Sequence, residues 1–331
     1  MVDLPDFPDP APYVVATIMV RDEEAIIGRW ARSVAPHVDA IMVLDTGCTD
    51  GTVDLLRETA WSVNPTLAIV VEQSDWQNFG HNRTVLADAA RQYFRTAPDT
   101  NIWHLLVDAD HTIEIVPNWR RWLTTGCTPI LTLKHAGTLQ YWVPRLIRAD
   151  HHYTWEGVTH ESVVTHSVPM KYTGIIIHDQ ADGSSHAVKY ARDIELLTAQ
   201  LKLNPQHARS WFYLGQSYRD MGRFGEASDA YQNCRDYSTW DEEIFYAAYQ
   251  AALCHDGYNI PKEHALLSAY AMRPTRIEPL VCVARMLCER GAFKAARRLL
   301  YPHRLDPIST DILFVETDKW TCRDKILRET A

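Results

Sequence analysis

The sequence predicts an α/β domain built on a mostly parallel sheet, followed by an all-α array of helical repeats. Two observations carry this expectation. In the first half, short apolar runs of strand length alternate with amphipathic segments of helix length, the pattern of repeated β-α units. In the second half the strand-like runs stop near residue 187, and aromatic and small residues recur at helical spacing over two related stretches.

Taken in order, the chain opens with an acidic, proline-rich segment, read as an extended arm over residues 1–12. Tyr13 to Val20 is a β-rich run ending at the charged cluster Arg21-Asp22-Glu23-Glu24. An amphipathic helix follows from Ala25 to about Val34, its apolar face supplied by Ile26, Ile27, Trp30 and Val34. Ala40 to Leu44 is a second strand, closing on Asp45-Thr46-Gly47-Cys48-Thr49-Asp50-Gly51-Thr52, a turn of small and capping residues with a helix beginning near Thr52. Leu67 to Val71 is a third strand and Arg83 to Phe94 a third helix. Ile102 to Val107 is the fourth apolar strand, and it runs into Asp108-Ala109-Asp110. Residues two apart in an extended chain face the same side, so the two carboxylates are expected to serve one site together. Hard oxygen ligands at that end of an open sheet suit Mg²⁺ or Mn²⁺ carrying a diphosphate.

Composition is that of an ordinary globular protein: 331 residues, 46% hydrophobic, 23% charged, with a formal net charge of −9. The acidic balance argues against broad charge-driven binding to nucleic acid. No apolar run approaches the roughly 18 residues of a membrane span, and no basic-plus-apolar leader is expected. Seven cysteines (Cys48, Cys127, Cys234, Cys254, Cys282, Cys288 and Cys322) are scattered without paired spacing, which favours a reduced, cytoplasmic setting.

Four segments of the first half resemble the motifs of family 2 glycosyltransferases with the GT-A fold. They are Met19-Val20-Arg21-Asp22-Glu23-Glu24, Leu44-Asp45-Thr46-Gly47-Cys48-Thr49-Asp50-Gly51-Thr52, Asn78-Phe79-Gly80-His81-Asn82-Arg83-Thr84, and Leu106-Val107-Asp108-Ala109-Asp110. They occur in the family's order, departing at Asp22, where Asn is usual, and at Cys48, where Ser is usual. The resemblance implies a nucleotide-sugar donor, UDP-linked by preference, held by Val20, Arg21, Glu23, Asp45, Arg83 and Asp108. It implies that Asp45 accepts a hydrogen bond from the base and that Asp108 and Asp110 serve a Mn²⁺ or Mg²⁺ ion. A simpler reading of Asp45 and Asp50 is turn formation and helix capping.

Between residues 111 and 186, Pro117 to Leu123 reads as a short helix, and Ile130–Lys134 with Tyr141–Ile147 as a hairpin turning at Ala136-Gly137-Thr138. A further block, Arg145, Arg148, Trp155, Gly157, His160 and Glu161, resembles that of family members with a helical C-terminal extension. By position the resemblance makes Glu161 the general base of an inverting transfer, and His178, ending an apolar strand, a metal ligand. The order His160-Glu161 followed by His166 does not match the zinc-peptidase spacing, which places the histidines four apart. His151-His152 reads as a solvated loop pair.

Residues 207–234 carry Trp211, Leu214, Gly215, Tyr218, Gly222, Ala227 and Tyr231 at tetratricopeptide spacing. A second copy, with Val283, Ala284, Leu287, Gly291, Phe293, Ala296 and Leu300, leaves room for a degenerate unit over about 241–275. Trp211 and Tyr231 are expected in the core. The expected organisation is therefore a catalytic domain over 13–186 and a tetratricopeptide-like domain over 187–331, the latter binding the acceptor or mediating self-association. The acceptor is expected to be a peptide or protein, with a modified nucleic acid or small molecule left open. Two rivals compete. A nucleotidyltransferase would carry a glycine-rich phosphate loop after strand one, where this chain has Arg21-Asp22-Glu23-Glu24. A non-catalytic scaffold with a vestigial nucleotide-sugar domain would not need Asp108, Asp110, Glu161 and His178.

Overall fold

The computed structural model describes residues 11–94, 101–123, 130–151, 153–164, 169–180, 182, 189–254 and 260–330. Most of the expected arm, together with Cys127, His152 and His166, lies outside the described residues. Two units are present: one comprises Met1–Gly137 and Trp142–His186, the other Thr138–Tyr141 and Ala187–Ala331.

The first unit alternates strand and helix as its apolar runs require. β1 (Tyr13–Val20), α1 (Glu24–Val34), β2 (Ala40–Asp45), α2 (Thr52–Val63), β3 (Ala68–Gln73), α3 (Phe79–Tyr93) and β4 (Ile102–Leu106) form the opening β-α series. β5 (His111–Ile115), β6 (Ile130–Ala136), β7 (Leu139–Arg148), β8 (Thr154–Glu156), β9 (Ser162–Val164) and β10 (Met170–Asp179) follow. The expected helix at 117–123 is a single 3₁₀ turn, Trp119–Trp122. The main sheet runs in the order β3-β2-β1-β4-β7-β6-β10-β5. β1 to β4 are parallel where they pair, β7 runs antiparallel to β4, and β5 antiparallel to β10.

β1, β2 and β4 are buried almost throughout, as expected for strands covered on both faces. Alternate residues serve different layers. Val14, Ala16, Ile18, Ile41 and Val43 pack with Ile27, Trp30 and Val34 of α1 and Leu56 of α2. Val15, Met42 and Leu44 pack with Leu86 and Ala90 of α3. The chain leaves β1 towards β2 and β3, then returns to lay β4 on the other side of β1. The carboxyl ends of β1 and β4 therefore flank a topological switch point, where open α/β sheets bind their ligands.

α3 begins four residues before the expected Arg83, because Asn78 caps it: its side chain accepts the His81 N–H at 2.9 Å. The wholly buried Asn82 accepts from Gln77 N–H and donates to the Asp75 carbonyl, fixing the loop that leads in. The extra turn brings Gly80 against the β8 segment, where an added Cβ would lie 2.7 Å from the Gly157 carbonyl oxygen.

The second unit contains α4 (Lys189–Leu203), α5 (Ala208–Asp220), α6 (Phe224–Tyr237), α7 (Asp241–Leu253), α8 (Ile260–Met272), α9 (Glu278–Glu289) and α10 (Phe293–Leu300). β11 (Val315–Glu316), which pairs with Leu139 and Gln140, and α11 (Asp318–Glu329) complete it. The interval expected to hold a degenerate unit is occupied by the pair α7–α8. Gly215 lets α5 and α6 cross closely, since a Cβ there would sit 2.8 Å from the Tyr231 ring. Tyr231 is fully buried, but Trp211 is only half-buried. Its indole N–H reaches back to the Pro205 carbonyl at 2.7 Å, and the neighbouring Phe212 fills the core instead. Phe212 packs against the Tyr213, Tyr231, Tyr246 and Phe314 rings. No helix among the described residues is long and apolar enough to cross a membrane.

Two outcomes follow for stability. Phe212→Ala should cost the helical unit roughly 3–5 kcal/mol, as for other buried aromatics, and Trp211→Ala clearly less; urea unfolding followed by circular dichroism compares them. His104, wholly buried on β4 with Nδ1 2.7 Å from the Tyr153 hydroxyl, has its pKa pushed down from 6.5 to about 3 by burial, with the charge of Arg91 adding. Above pH 6.5 the imidazole is neutral in both folded and unfolded chains. Below it the unfolded chain gains a proton that the folded one refuses, so stability falls as pH drops from 6.5 towards 3, by up to about 1.4 kcal/mol per unit. The melting temperature of His104→Phe should fall less steeply over that range; an identical slope would contradict this account.

Candidate active site

The turns after β1 and β2 are tied to each other. Asp22, whose backbone is left-handed at φ +52°, accepts the Thr49 N–H at 2.7 Å. The Thr52 hydroxyl accepts the Glu23 N–H, Asp50 accepts the Glu24 N–H, and Glu24 in return accepts the Gly51 N–H. Each loop thus supplies acceptors to the opening turn of the other loop's helix. Asp50 also caps its own turn through the Thr52 hydroxyl and N–H, and the Thr52 hydroxyl bond leads the effects that lower its pKa.

Asp45 lies in register with Val20 on β1 and Gln73 on β3. One of its oxygens accepts the N–H groups of Gly47 and Cys48 at 3.0 and 2.8 Å. Burial alone would raise its pKa, but these N–H bonds and the Gln73 amide hold it below the usual value. The other oxygen lies 3.5 Å from the Gln73 amide. The Val20 side chain is buried in the core, and its carbonyl accepts from the Thr46 N–H and hydroxyl. Arg21 is exposed and Glu23 half-buried.

Beside these turns, Arg83 joins two of the other expected residues. Its Nε donates to Glu161, its Nη2 donates to Asp108 Oδ1 at 2.6 Å, and its guanidinium lies 5.1 Å from the centre of the Trp155 ring. Desolvation opposes its charge, but the two carboxylates prevail and its pKa is raised. The other Asp108 oxygen accepts from Arg145 Nη2 at 3.1 Å and lies 3.5 Å from His111 Nδ1. Burial would raise the pKa of Asp108; Arg83 and then Arg145 hold it far below the ordinary carboxylate range.

Glu161 is presented by a loop that turns at Gly157 (φ +117°), where a side chain would meet the Glu161 Cα at 3.1 Å and the Thr159 carbonyl at 3.2 Å. His160 also adopts a left-handed backbone, at φ +50°. Arg148 pairs with Asp150 rather than with Glu161.

After β4 the chain does not continue extended through Asp108-Ala109-Asp110. It turns, with His111 N–H donating to the Asp108 carbonyl at 3.0 Å. Asp110 then joins His111 and Asp179, whose ligand atoms all lie within 4.8 Å of one another. Burial, then the charges of Asp108 and Asp179, raise the pKa of Asp110. Burial pushes His111 down to about 3, so it is a neutral imidazole near neutrality. Lys134 Nζ lies 2.9 Å from Asp179. Two carboxylates and a neutral imidazole in one cluster form a donor set that suits Mn²⁺ or Mg²⁺.

Of the three ligands expected from the sequence, Asp110 alone falls in this group. Asp108 is engaged by two arginines. His178 is paired in register with Thr112, and its Nε2 lies 3.4 Å from Glu114 with His135 stacked edge-on nearby. Asp179, one residue on, is paired with His111 and shares its face. His111, Asp179 and Lys134 were not singled out by sequence reasoning; the one local signal was a histidine directly following Asp108-Ala109-Asp110.

No protein-family model matches the chain. Among curated proteins it is similar to the glycosyltransferase SunS, both the SPbeta prophage-derived protein of Bacillus subtilis (strain 168) and that of Bacillus phage SPbeta. Identity is 23% over 261 residues, covering 73% of this chain and 58% of SunS. The chain thus matches somewhat more than half the length of these relatives. Among solved structures, the mannosyltransferase PcManGT from Pyrobaculum calidifontis, in complex with GDP-Man and Mn²⁺, aligns at 14% identity over 99% of this chain and 88% of its own, with a TM-score of 0.41. MamA from Desulfovibrio magneticus RS-1 aligns at 18% identity over 36% of this chain and 66% of its own, with a TM-score of 0.31.

The donor set can be tested directly. Titration with Mn²⁺, read by calorimetry, should show binding abolished in Asp110→Ala and Asp179→Ala and weakened in His111→Ala, while His178→Ala binds as wild type. Loss in His178→Ala with retention in Asp179→Ala would reverse the assignment.

Proposed function

We propose that this chain is a metal-dependent glycosyltransferase that moves a sugar from a nucleotide-diphosphate donor, by preference UDP-linked, to a hydroxyl or other nucleophile of a peptide or protein acceptor with inversion. The observation that carries the reading is the meeting of Arg83, Asp108 and Glu161 beside the Asp110-His111-Asp179 cluster. The similarity to SunS supports it. We read residues 13–186 as the catalytic domain and 187–331 as a tetratricopeptide-like domain that holds the acceptor or a second copy.

In this reading the Asp45 oxygen that faces Gln73 accepts a hydrogen bond from the donor's base, at the edge shared by β2 and β3. Asp110, His111 and Asp179 would hold a divalent cation, which would supply positive charge to offset that developing on the departing diphosphate. Arg83 keeps Asp108 and Glu161 in fixed relation, and Trp155 covers its guanidinium face. Glu161 accepts the proton of the acceptor hydroxyl as the new glycosidic bond forms. The Gly157 turn sets the reach of that carboxylate.

Transfer or hydrolysis of the donor sugar should stop on chelation and return with Mn²⁺ or Mg²⁺; full activity in excess EDTA would remove the metal from the reading. Glu161→Gln should lower kcat by on the order of 10²–10⁴-fold with donor affinity unchanged. Asp45→Ala should instead weaken donor binding first. Turnover of Glu161→Gln within a few-fold of wild type would withdraw Glu161 as the base.

A further inference from the structure

The guanidinium of Arg145 has unfinished bonding at the centre of this site. Arg145 is 9% exposed. Its Nη2 donates to Asp108 Oδ2, yet Nε and Nη1 are buried without a hydrogen-bond partner among the described residues. A desolvated cation left partly unpaired is costly, and such groups persist where a ligand completes them.

Its position says which ligand. The two Asp108 oxygens separate two neighbourhoods: Oδ1 faces Arg83 and, beyond it, Glu161, while Oδ2 faces Arg145 and His111. Arg145 is therefore the arginine on the metal side, and its charge is felt at His111. Arg83 is already engaged by two carboxylates, whereas Arg145 is engaged by one.

Charge points the same way. Among the described residues, Asp108, Glu161, Asp110 and Asp179 meet Arg83, Arg145 and Lys134, with the Arg29–Asp182 pair, itself neutral in sum, acting on Asp110 from outside. A divalent ion would leave the set with net positive charge, and the group that then fits beside it is an anion with several acceptor oxygens.

We propose that Arg145 binds the diphosphate of the nucleotide donor, donating from its unpaired nitrogens while Asp108 orients it. This rests on the glycosyltransferase reading and adds to it a residue that holds the leaving group with or without the ion. Arginine suits the role because its fork of donors matches phosphate oxygens.

The test is calorimetry on the full chain, with UDP, GDP, uridine and guanosine as probes, in Mn²⁺ and again in EDTA. Arg145→Gln, checked for folding by circular dichroism, should weaken binding of the diphosphate that the wild type takes by roughly 10- to 100-fold. The matching nucleoside should bind as before, and the diphosphate-specific loss should persist in EDTA. If Arg145→Gln does not fold, Arg145→Lys serves: it should lose several-fold on the diphosphate alone, because an ammonium cannot present the same fork. Diphosphate binding equal to wild type, or an equal loss for nucleoside and diphosphate, overturns the inference and leaves Arg145 as a support for Asp108. A wild-type chain that binds neither diphosphate overturns the glycosyltransferase reading and this inference with it.

Discussion

The arrangement of the site depends on one ion-pair bridge, that of Arg83 to Asp108 and Glu161. The three residues come from α3, from the turn after β4, and from the loop between β8 and β9. Without that bridge, two desolvated carboxylates would lie near each other with much of their compensation removed, and removing one partner of such a set is far costlier than never having built it. The bridge also explains why the surroundings are so tightly determined. Gly80 admits the Gly157 carbonyl, the Thr84 hydroxyl accepts the Trp155 N–H at 3.2 Å, and Trp155 lies against the guanidinium. Each contact positions α3 against the segment that carries Glu161.

On the other side of Asp108 the physics changes. There Asp110 and Asp179 sit together with Lys134 beside Asp179, and burial keeps His111 uncharged near neutrality. One half of the site is thus built from paired charges, and the other gathers carboxylates and an imidazole of the kind that take a cation. That division suits a centre in which one side holds a proton acceptor in place and the other receives ions.

Much of this was legible in the sequence. Apolar runs marked β1, β2 and β4 because buried parallel strands need continuous hydrophobicity, and Arg83, Asp108 and Glu161 were named although as many as 78 residues separate them. What stayed hidden depends on register. His178 and Asp179 are adjacent, and only the pairing of β10 with β5 decides which of them faces His111. A strand sequence does not state its own register. Trp211 and Phe212 pose the same difficulty on a helix, where neighbouring residues point about 100° apart and both are large and apolar. At Asp108–His111 an extended continuation of β4 satisfies the local pattern as well as the turn does, and the early start of α3 depends on the Asn78 cap rather than on apolar periodicity.

The stitched turns after β1 and β2 have a further consequence. Helix N-termini in this kind of sheet are ready-made seats for phosphate, because their first N–H groups point outward unpaired. Here Asp50 takes the N–H groups of Glu24 and Thr52, Glu24 takes that of Gly51, and Asp22 takes that of Thr49 in the loop leading to α2. These four backbone groups are thereby withdrawn from competition for phosphate. Under the proposed function a diphosphate would instead meet side chains such as that of Arg145, on the far side of β4, and these, unlike backbone amides, a single codon change can retune.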